Sequence, residues 1–459
     1  MKKRFASKPT HAAAANIYLM PPMPEHKSNE HQHRIMLFAM LSRAITTFDF
    51  VLYLFMADIM IANFFSHHES SSIISQIEII GLFAVGYLSR PIGAILLGQY
   101  ADIKGRKSAL FLSILLITIS TLFIACLPTY AMVGIIAPIL LLMSRILQGM
   151  AFSVYAPLTW TFVAEHLPTR QISINCSYIT ASFIAGVLFS MLFFMILIGS
   201  MSQASLYTYG WRIAFVIAAL LNLIILWLWR YLSETPTFLQ YQQILSIEKI
   251  TPTLPIKRLF KNRYNDIFLA IILSSIISSL FIVIGLILPD LIILHFSLDK
   301  DFLNVANAIG IFFMLLGCIF YGLLANYNNA GKVMMFGSLL LILQTFAFFY
   351  QLESGGDFIL IMYALLGFCT GIIGIIPAII VRIFPTDIRL TGLCLSYNIA
   401  YALVGSALPF ALAYATEHVS FTPALYVTFI GLIGIIIGLY LARLPDFKDI
   451  PCLSTDLLD

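Results

Sequence analysis

The sequence predicts an all-α integral membrane protein of twelve spanning helices, and three observations lead there. Of 459 residues, 60% are apolar and only 10% are Asp, Glu, Lys or Arg, against roughly 25% charged residues in soluble domains. The apolar residues gather into runs near the ~20 residues that a helix needs to cross a bilayer, and the mean hydropathy is +0.94. The basic residues alternate, crowding every second connection between runs and nearly vanishing from the others. A soluble or disordered chain is excluded, and a net charge of +4 is too small to point to nucleic acid.

Taken in order, the runs fall at 36–64, 78–98, 108–126, 132–163, 173–199, 211–231, 265–290, 302–324, 333–350, 358–381, 390–414 and 422–442. Residues 1–35 precede them with Lys2, Lys3, Arg4, Lys8, Lys27 and Arg34, a short alanine run, and Pro21, Pro22 and Pro24. That run is too short for the core of a signal peptide, so a cytoplasmic tail is expected. Every second connection and the tail 443–459 are basic, whereas the alternate connections contain only Lys300. By the positive-inside rule both tails lie in the cytoplasm. The longest connection, 232–264, carries Pro236, Pro252 and Pro255 and reads as a cytoplasmic linker between 36–231 and 265–442, six spans each.

The two sets of six resemble each other. VAEHLPTR at 163–170 precedes the fifth span and VRIFPTDIR at 381–389 precedes the eleventh, with the Pro-Thr pair recurring 217 residues later. GQYADIKGRK at 98–107 has a degraded echo, GLLANYNNAGK at 322–332, at an offset of 224. Two matches at similar offsets indicate duplication, and parallel six-helix repeats around a midplane site are a transporter architecture.

The six cysteines show no CxxC pair or ligand spacing, and five fall in apolar runs where Cys acts as a small hydrophobe. His67, His68 and His418 sit in outer connections without ligand spacing. No disulfide, metal site or cofactor is expected, and no catalytic motif with suitable spacing occurs. Gly367, Gly371 and Gly374, like Gly431, Gly434 and Gly438, read as close-packing positions between helices.

Charged residues inside spans are expensive and need a partner or a wet cavity. Asp49 lies near the middle of the first span with Tyr53 one turn further on; it either takes up a proton or stands in a permanent ion pair with Arg43 or Arg90. Asp290 fits an outer helix end, and Asn398 suits either a polar solute or a bond between helices. Arg145 begins Arg145-Ile-Leu-Gln148-Gly149 in the fourth span. In the turn after the second span, Gly98, Asp102, Gly105, Arg106 and Lys107 form GxxxDxxGRK. Its glycines allow a tight turn and close helix approach, and Asp102 is placed to pair with Arg106 or to meet a helix N-terminus.

The GxxxDxxGRK and RxxQG patterns resemble signatures of the major facilitator superfamily. FDFVLY (48–53), RPIGAILLG (90–98), YGWRIAF (209–215), SETPTF (233–238) and FPTDIRLTGLCLSYNIAYALVGSALP (384–409) resemble more narrowly its metabolite:proton symporters, which include proline/betaine, citrate, ketoglutarate and shikimate transporters. The resemblance implies the twelve-helix major-facilitator fold, two six-helix bundles around a central cavity. It also implies alternating access in the cytoplasmic (inner) membrane, with a small zwitterionic or carboxylated metabolite and protons as partners. In the transport reading, Arg90 and Arg145 would attract the substrate carboxylate, Asp49 would carry or sense the proton, and Tyr53, Tyr155 and Asn398 would shape the site. By the same resemblance, Gly98, Asp102, Gly105, Arg106, Lys107, Glu165, Arg170 and Arg389 would form the cytoplasmic gate.

Two departures matter. Ser153, Val154 and Tyr155 stand where the family runs GGE, so its spanning glutamate is missing, and Arg382 stands where many members have an acid. An uncoupled facilitator or exchanger, and a non-transporting receptor on the same fold, therefore stay open.

Overall fold

The computed structural model describes residues 29–65, 85–248, 253–296, 298–355 and 357–443. Of the expected tails, 1–28 and 444–459 lie outside these residues, as do His67, His68 and the start of the second span, while 29–35 already belong to the first helix. Every regular element among the described residues is helical. Among the described residues, eleven helices are long and apolar enough to cross a membrane. The helix Arg90–Lys104, whose expected span begins before residue 85, supplies the twelfth in order.

Span one is Asn29–Phe55 continued by Ala57–Phe64, span three Arg106–Cys126, and span four Ile136–Ser153 continued by Tyr155–His166. Span five is Ile172–Ser200, six Trp211–Leu228, seven Tyr264–Leu280 continued to Phe296, and eight Lys300–Tyr327. Span nine is Ala330–Glu353, ten Ile359–Thr370 continued through Ile376–Ile383, eleven Arg389–His418 and twelve Thr422–Ala442. The outward surfaces carry exposed Ile92, Leu96, Ile119, Ile224, Leu343 and Ile436, the side chains a bilayer accepts without loss.

Two expected boundaries shift. The second apolar run ends at 98, yet its helix continues to Lys104, because Asp102 points into a contact between helices rather than into lipid. The linker holds two short helices, Pro236–Glu248 and Pro255–Asn262; each starts on a proline, whose fixed φ and missing N–H suit a first helical turn.

Helix breaks position the contacts between the halves. Pro157 has no N–H to offer the carbonyl of Ser153, and span four breaks at Val154. Asn398 of span eleven donates its Nδ2 to that carbonyl at 2.7 Å. The related contact in the other half is the Ser177 hydroxyl of span five donating to the carbonyl of Gly374 at 2.9 Å, in the 3₁₀ turn Gly371–Ile375 of span ten.

The glycine runs pack helices, as small residues do in membranes. Gly367 rests on the backbone of Gly310 and Gly371 on that of Gly317, joining spans ten and eight; Gly438 rests on Gly331 and Met335, joining twelve and nine. An added methyl at Gly367 would overlap the Gly310 carbonyl, whereas one at Gly199 would meet nothing within 4 Å. Gly367→Ala is therefore expected to destabilise by about 1–3 kcal/mol, the usual penalty of overpacking, and Gly199→Ala to leave thermal unfolding in detergent unchanged or slightly raised.

Candidate functional site

Asp49 sits fully buried within the first six spans. Its Oδ2 accepts from the Thr121 hydroxyl at 2.6 Å and from Asn222 Nδ2 at 2.7 Å, and its Oδ1 from Gln148 Nε2 at 3.2 Å. Spans three, four and six thus converge on span one. The ion pair with Arg43 or Arg90 that the sequence left open is not formed: both arginines are turned onto aromatic rings instead. Gln148 is bifunctional, since its Oε1 accepts from Arg145 Nη1 while its amide nitrogen donates to Asp49.

Arg43, Arg90 and Arg145 are all buried. The Arg90 guanidinium lies 4.1 Å from the Tyr87 ring centre, 4.7 Å from Phe50, 5.0 Å from Phe152 and 5.2 Å from Tyr401. Arg145 lies 3.9 Å over Tyr53, and Arg43 lies 4.7 Å over Phe183 and 5.3 Å over Phe152. Cation–π contact offsets part of the desolvation of these groups but does not satisfy their donors. Arg43 Nε and Nη1, Arg90 Nε and Arg145 Nε are buried without a hydrogen-bond partner. Tyr401 belongs to span eleven, so the cluster faces the second half.

Tyr155 is fully buried with its hydroxyl on Ser42. Asn398 is committed to Ser153 and, within its own helix, to the carbonyl of Cys394, leaving Oδ1 unpartnered. Asp58 and Asp290 are exposed.

The motif residues assemble at one face, where the basic connections lie. Arg106 donates Nε to Glu165 at 3.1 Å, lies 3.6 Å from Asp102, and donates Nη2 to the Thr386 carbonyl at 2.7 Å. Arg389 donates Nη1 to Glu165 at 2.7 Å. Asp102 accepts the backbone N–H groups of Leu390 and Thr391 at 3.2 and 2.7 Å and the Thr391 hydroxyl at 2.8 Å, so it caps span eleven from span two as the helix dipole favours. Gly98 makes room for this approach, with Cys394 and Leu390 atoms 3.3 Å from where a Cβ would stand. Gly105 has φ +107°, and a side chain there would also strike Glu234. That carboxylate accepts from the backbone N–H groups of Arg106 and Lys107 and so caps span three. Lys107 itself lies 4.7 Å over the Trp229 ring. In the connection before span eleven, burial pushes the Asp387 carboxyl above its ordinary value, against the pull of Arg258 at 2.6 Å. This basic face is closed. Arg170 stands outside the network.

The sequence from 36 to 409 matches the family model described as Major Facilitator Superfamily. The chain belongs to that superfamily. As a superfamily transporter it is 29% identical over 409 residues to the alpha-ketoglutarate permease of Escherichia coli, covering 86% of this chain and 90% of the permease. It is 28% identical over 420 residues to a glycine betaine/proline/ectoine/pipecolic acid transporter of Dickeya dadantii, covering 88% and 82%. Its fold matches the solved proton:xylose symporter XylE with a TM-score of 0.77 at 16% identity, covering 94% of this chain and 99% of that one. The chain is thus a multi-pass membrane transporter with a small-molecule substrate, not an enzyme.

Within the transporter, Arg43, Thr121, Asn222 and Glu234 lie in the candidate site or at the motif face; the sequence named Arg43 only as an ion-pair partner for Asp49 and did not single out the other three. The first had a signal, a guanidinium inside an apolar run. Asn222 had a weaker one, as the lone amide of a helix that is apolar but for Arg212 at its start.

Proposed function

We propose that this superfamily transporter carries a small carboxylated metabolite together with a proton by alternating access. The reading is supported above all by three buried arginines with unpartnered donors beside a single buried aspartate. A guanidinium fork matches a carboxylate. The aromatic faces that would receive a quaternary ammonium are already covered by guanidinium groups, which favours an anion over a betaine. Arg90 and Arg145 hold the carboxylate, Arg43 adds to the positive field, and Tyr53 completes the wall. Asp49 takes the proton. Gln148 links the two events, because one amide touches both Arg145 and Asp49. Asp102, Arg106, Glu165 and Arg389 hold the basic face shut while the other opens. In this reading the basic face, the linker and both tails are cytoplasmic, the bundles are 36–231 and 265–442, and the membrane is the inner one.

Uptake into proteoliposomes of labelled alpha-ketoglutarate, proline and glycine betaine, with and without a pH gradient, tests the reading. The dicarboxylate is expected to enter fastest and to accumulate with the gradient; betaine as the preferred solute would overturn it. Arg90→Gln should weaken apparent affinity for the carboxylate about 30-fold, the ~2 kcal/mol that loss of one buried charge partner costs at the least. A second reading, uncoupled exchange, is favoured by Tyr155 in the glutamate's place, and predicts uptake indifferent to the gradient.

A further inference from the structure

The linker helix Pro255–Asn262 has two faces with different tasks. Inward, Leu259 is fully buried where the helix packs against span two of the first half and span eleven of the second. Arg258 donates Nη1 to Asp387 Oδ2 at 2.6 Å, in the connection whose Thr386 carbonyl also accepts from Arg106. The helix therefore straddles the seam that parts when the basic face opens.

Outward, Lys257, Phe260 and Lys261 are exposed at the i, i+3 and i+4 spacing that puts them on one side of a helix. Arg263 ends that helix with φ −124° and ψ 26°, and Tyr264 begins span seven. A single residue thus separates the helix from a membrane span, which places it at the bilayer surface. The Phe260 ring centre is 6.1 Å from that of Tyr264; both rings are exposed, as is Phe268 one turn further into span seven. This aromatic column runs from the linker onto the span, the position that aromatic belts take at a membrane interface. Lys257 and Lys261, one turn apart beside it, stand at headgroup level.

Lysine stems cover apolar surface while their ammonium groups reach the headgroups, and an anionic leaflet attracts each such charge. We propose that the outward face of this helix docks on anionic lipid headgroups of its own leaflet, and that this contact keeps the inward face in the seam and the basic face shut. A bilayer is the partner that fits, because the exposed rings continue onto a membrane span: a soluble acidic partner would have to displace lipid to cover Tyr264 and Phe268. The inference concerns neither solute nor proton, and it uses the transport reading only in taking the basic face to open and close.

Distances between spin labels at positions 104 and 328 test this. Lys104 and Asn328 are exposed at the ends of spans two and eight, in opposite halves at the basic face. The full-length transporter, without its native cysteines, is placed in nanodiscs of phosphatidylcholine with rising phosphatidylglycerol, as wild type and as Glu165→Gln, whose weakened gate populates both states. Phosphatidylglycerol is expected to raise the ratio of short to long distances about 5- to 30-fold, the factor that one or two lysines supply at an anionic surface. Lys257→Gln/Lys261→Gln should abolish the shift, high salt should screen it, and Lys332→Gln, at another exposed lysine of that face, should keep it. Two distances whose ratio ignores phosphatidylglycerol overturn the lipid contact alone, whereas a single distance in every sample overturns alternating access with it. The proposal also falls if the double variant responds as wild type does or if Lys332→Gln removes the response. It falls equally if the double variant shifts the ratio as much in phosphatidylcholine alone, which would assign the face to an acidic segment of the chain.

Discussion

Asp49→Asn is expected to fold, to exchange substrate across the membrane, and to lose accumulation driven by a pH gradient. Because Asp49 is held by Thr121, Gln148 and Asn222 rather than by an arginine, its loss strands no buried cation. Asn resembles the protonated carboxyl in shape, and at most one amide donor loses its acceptor, at about 1–3 kcal/mol. With one proton per substrate, a gradient of one pH unit supplies about 1.4 kcal/mol, enough for roughly tenfold accumulation. The variant should reach only equal concentrations on both sides. Counterflow and gradient-driven uptake measured on the same proteoliposomes decide the matter, and tenfold accumulation by the variant would place the proton elsewhere.

The second large effect is expected at Glu165, which lies between Arg106 and Arg389. Glu165→Gln leaves two buried guanidinium groups with their shared anion gone. Removing one partner of a buried ion pair costs about 3–5 kcal/mol, and here the penalty falls only on the state with the basic face closed. The balance between states should move about a hundredfold or more toward opening at that face. Cys394, buried against Gly98, reports it: in a variant keeping only this cysteine, labelling by a thiol reagent from the basic side should speed up correspondingly. Substrate affinity in a locked state should scarcely change, since Arg90 and Asp102 are twelve residues apart on one helix, about 18 Å by helical rise. Unchanged labelling would remove Glu165 from the gate.

The fold was legible because two coarse signals, run length and the alternation of Lys and Arg, agree across the whole chain. The gate was legible for a different reason. Asp102 and Arg106 stand four residues apart beside glycines that only a tight contact between helices requires, as Gly98 and Gly105 show, whereas Glu165 and Arg389 are far off in the sequence and were placed by the resemblance. Arg170, assigned to the gate by the resemblance, stands outside the network of Asp102, Arg106, Glu165 and Arg389.

The central site was legible only in part. Arg90, Arg145 and Asp49 stand out as charges in apolar runs, and Arg43 did too but was read only as a partner for Asp49. Thr121 and Asn222 carry no such mark. Most hydroxyls in these spans bond a carbonyl one turn back in their own helix, as Thr118 does to Ile114 and Thr345 to Leu341, so a threonine in a membrane helix is silent until the neighbouring helix is known.

The carbonyl of Ser153, freed by Pro157 and taken up by Asn398 across the junction of the halves, sets a condition on the transport cycle. When the bundles part at the basic face, the Asn398 amide keeps the Cys394 carbonyl of its own helix, but the Ser153 carbonyl loses its donor, and water must follow to cover it. Opening is therefore a wetting step as much as a rocking step. Its rate should fall when water activity is lowered by an excluded osmolyte, and a substitution such as Asn398→Leu, which leaves the carbonyl unpaired in the closed state as well, should weaken that dependence.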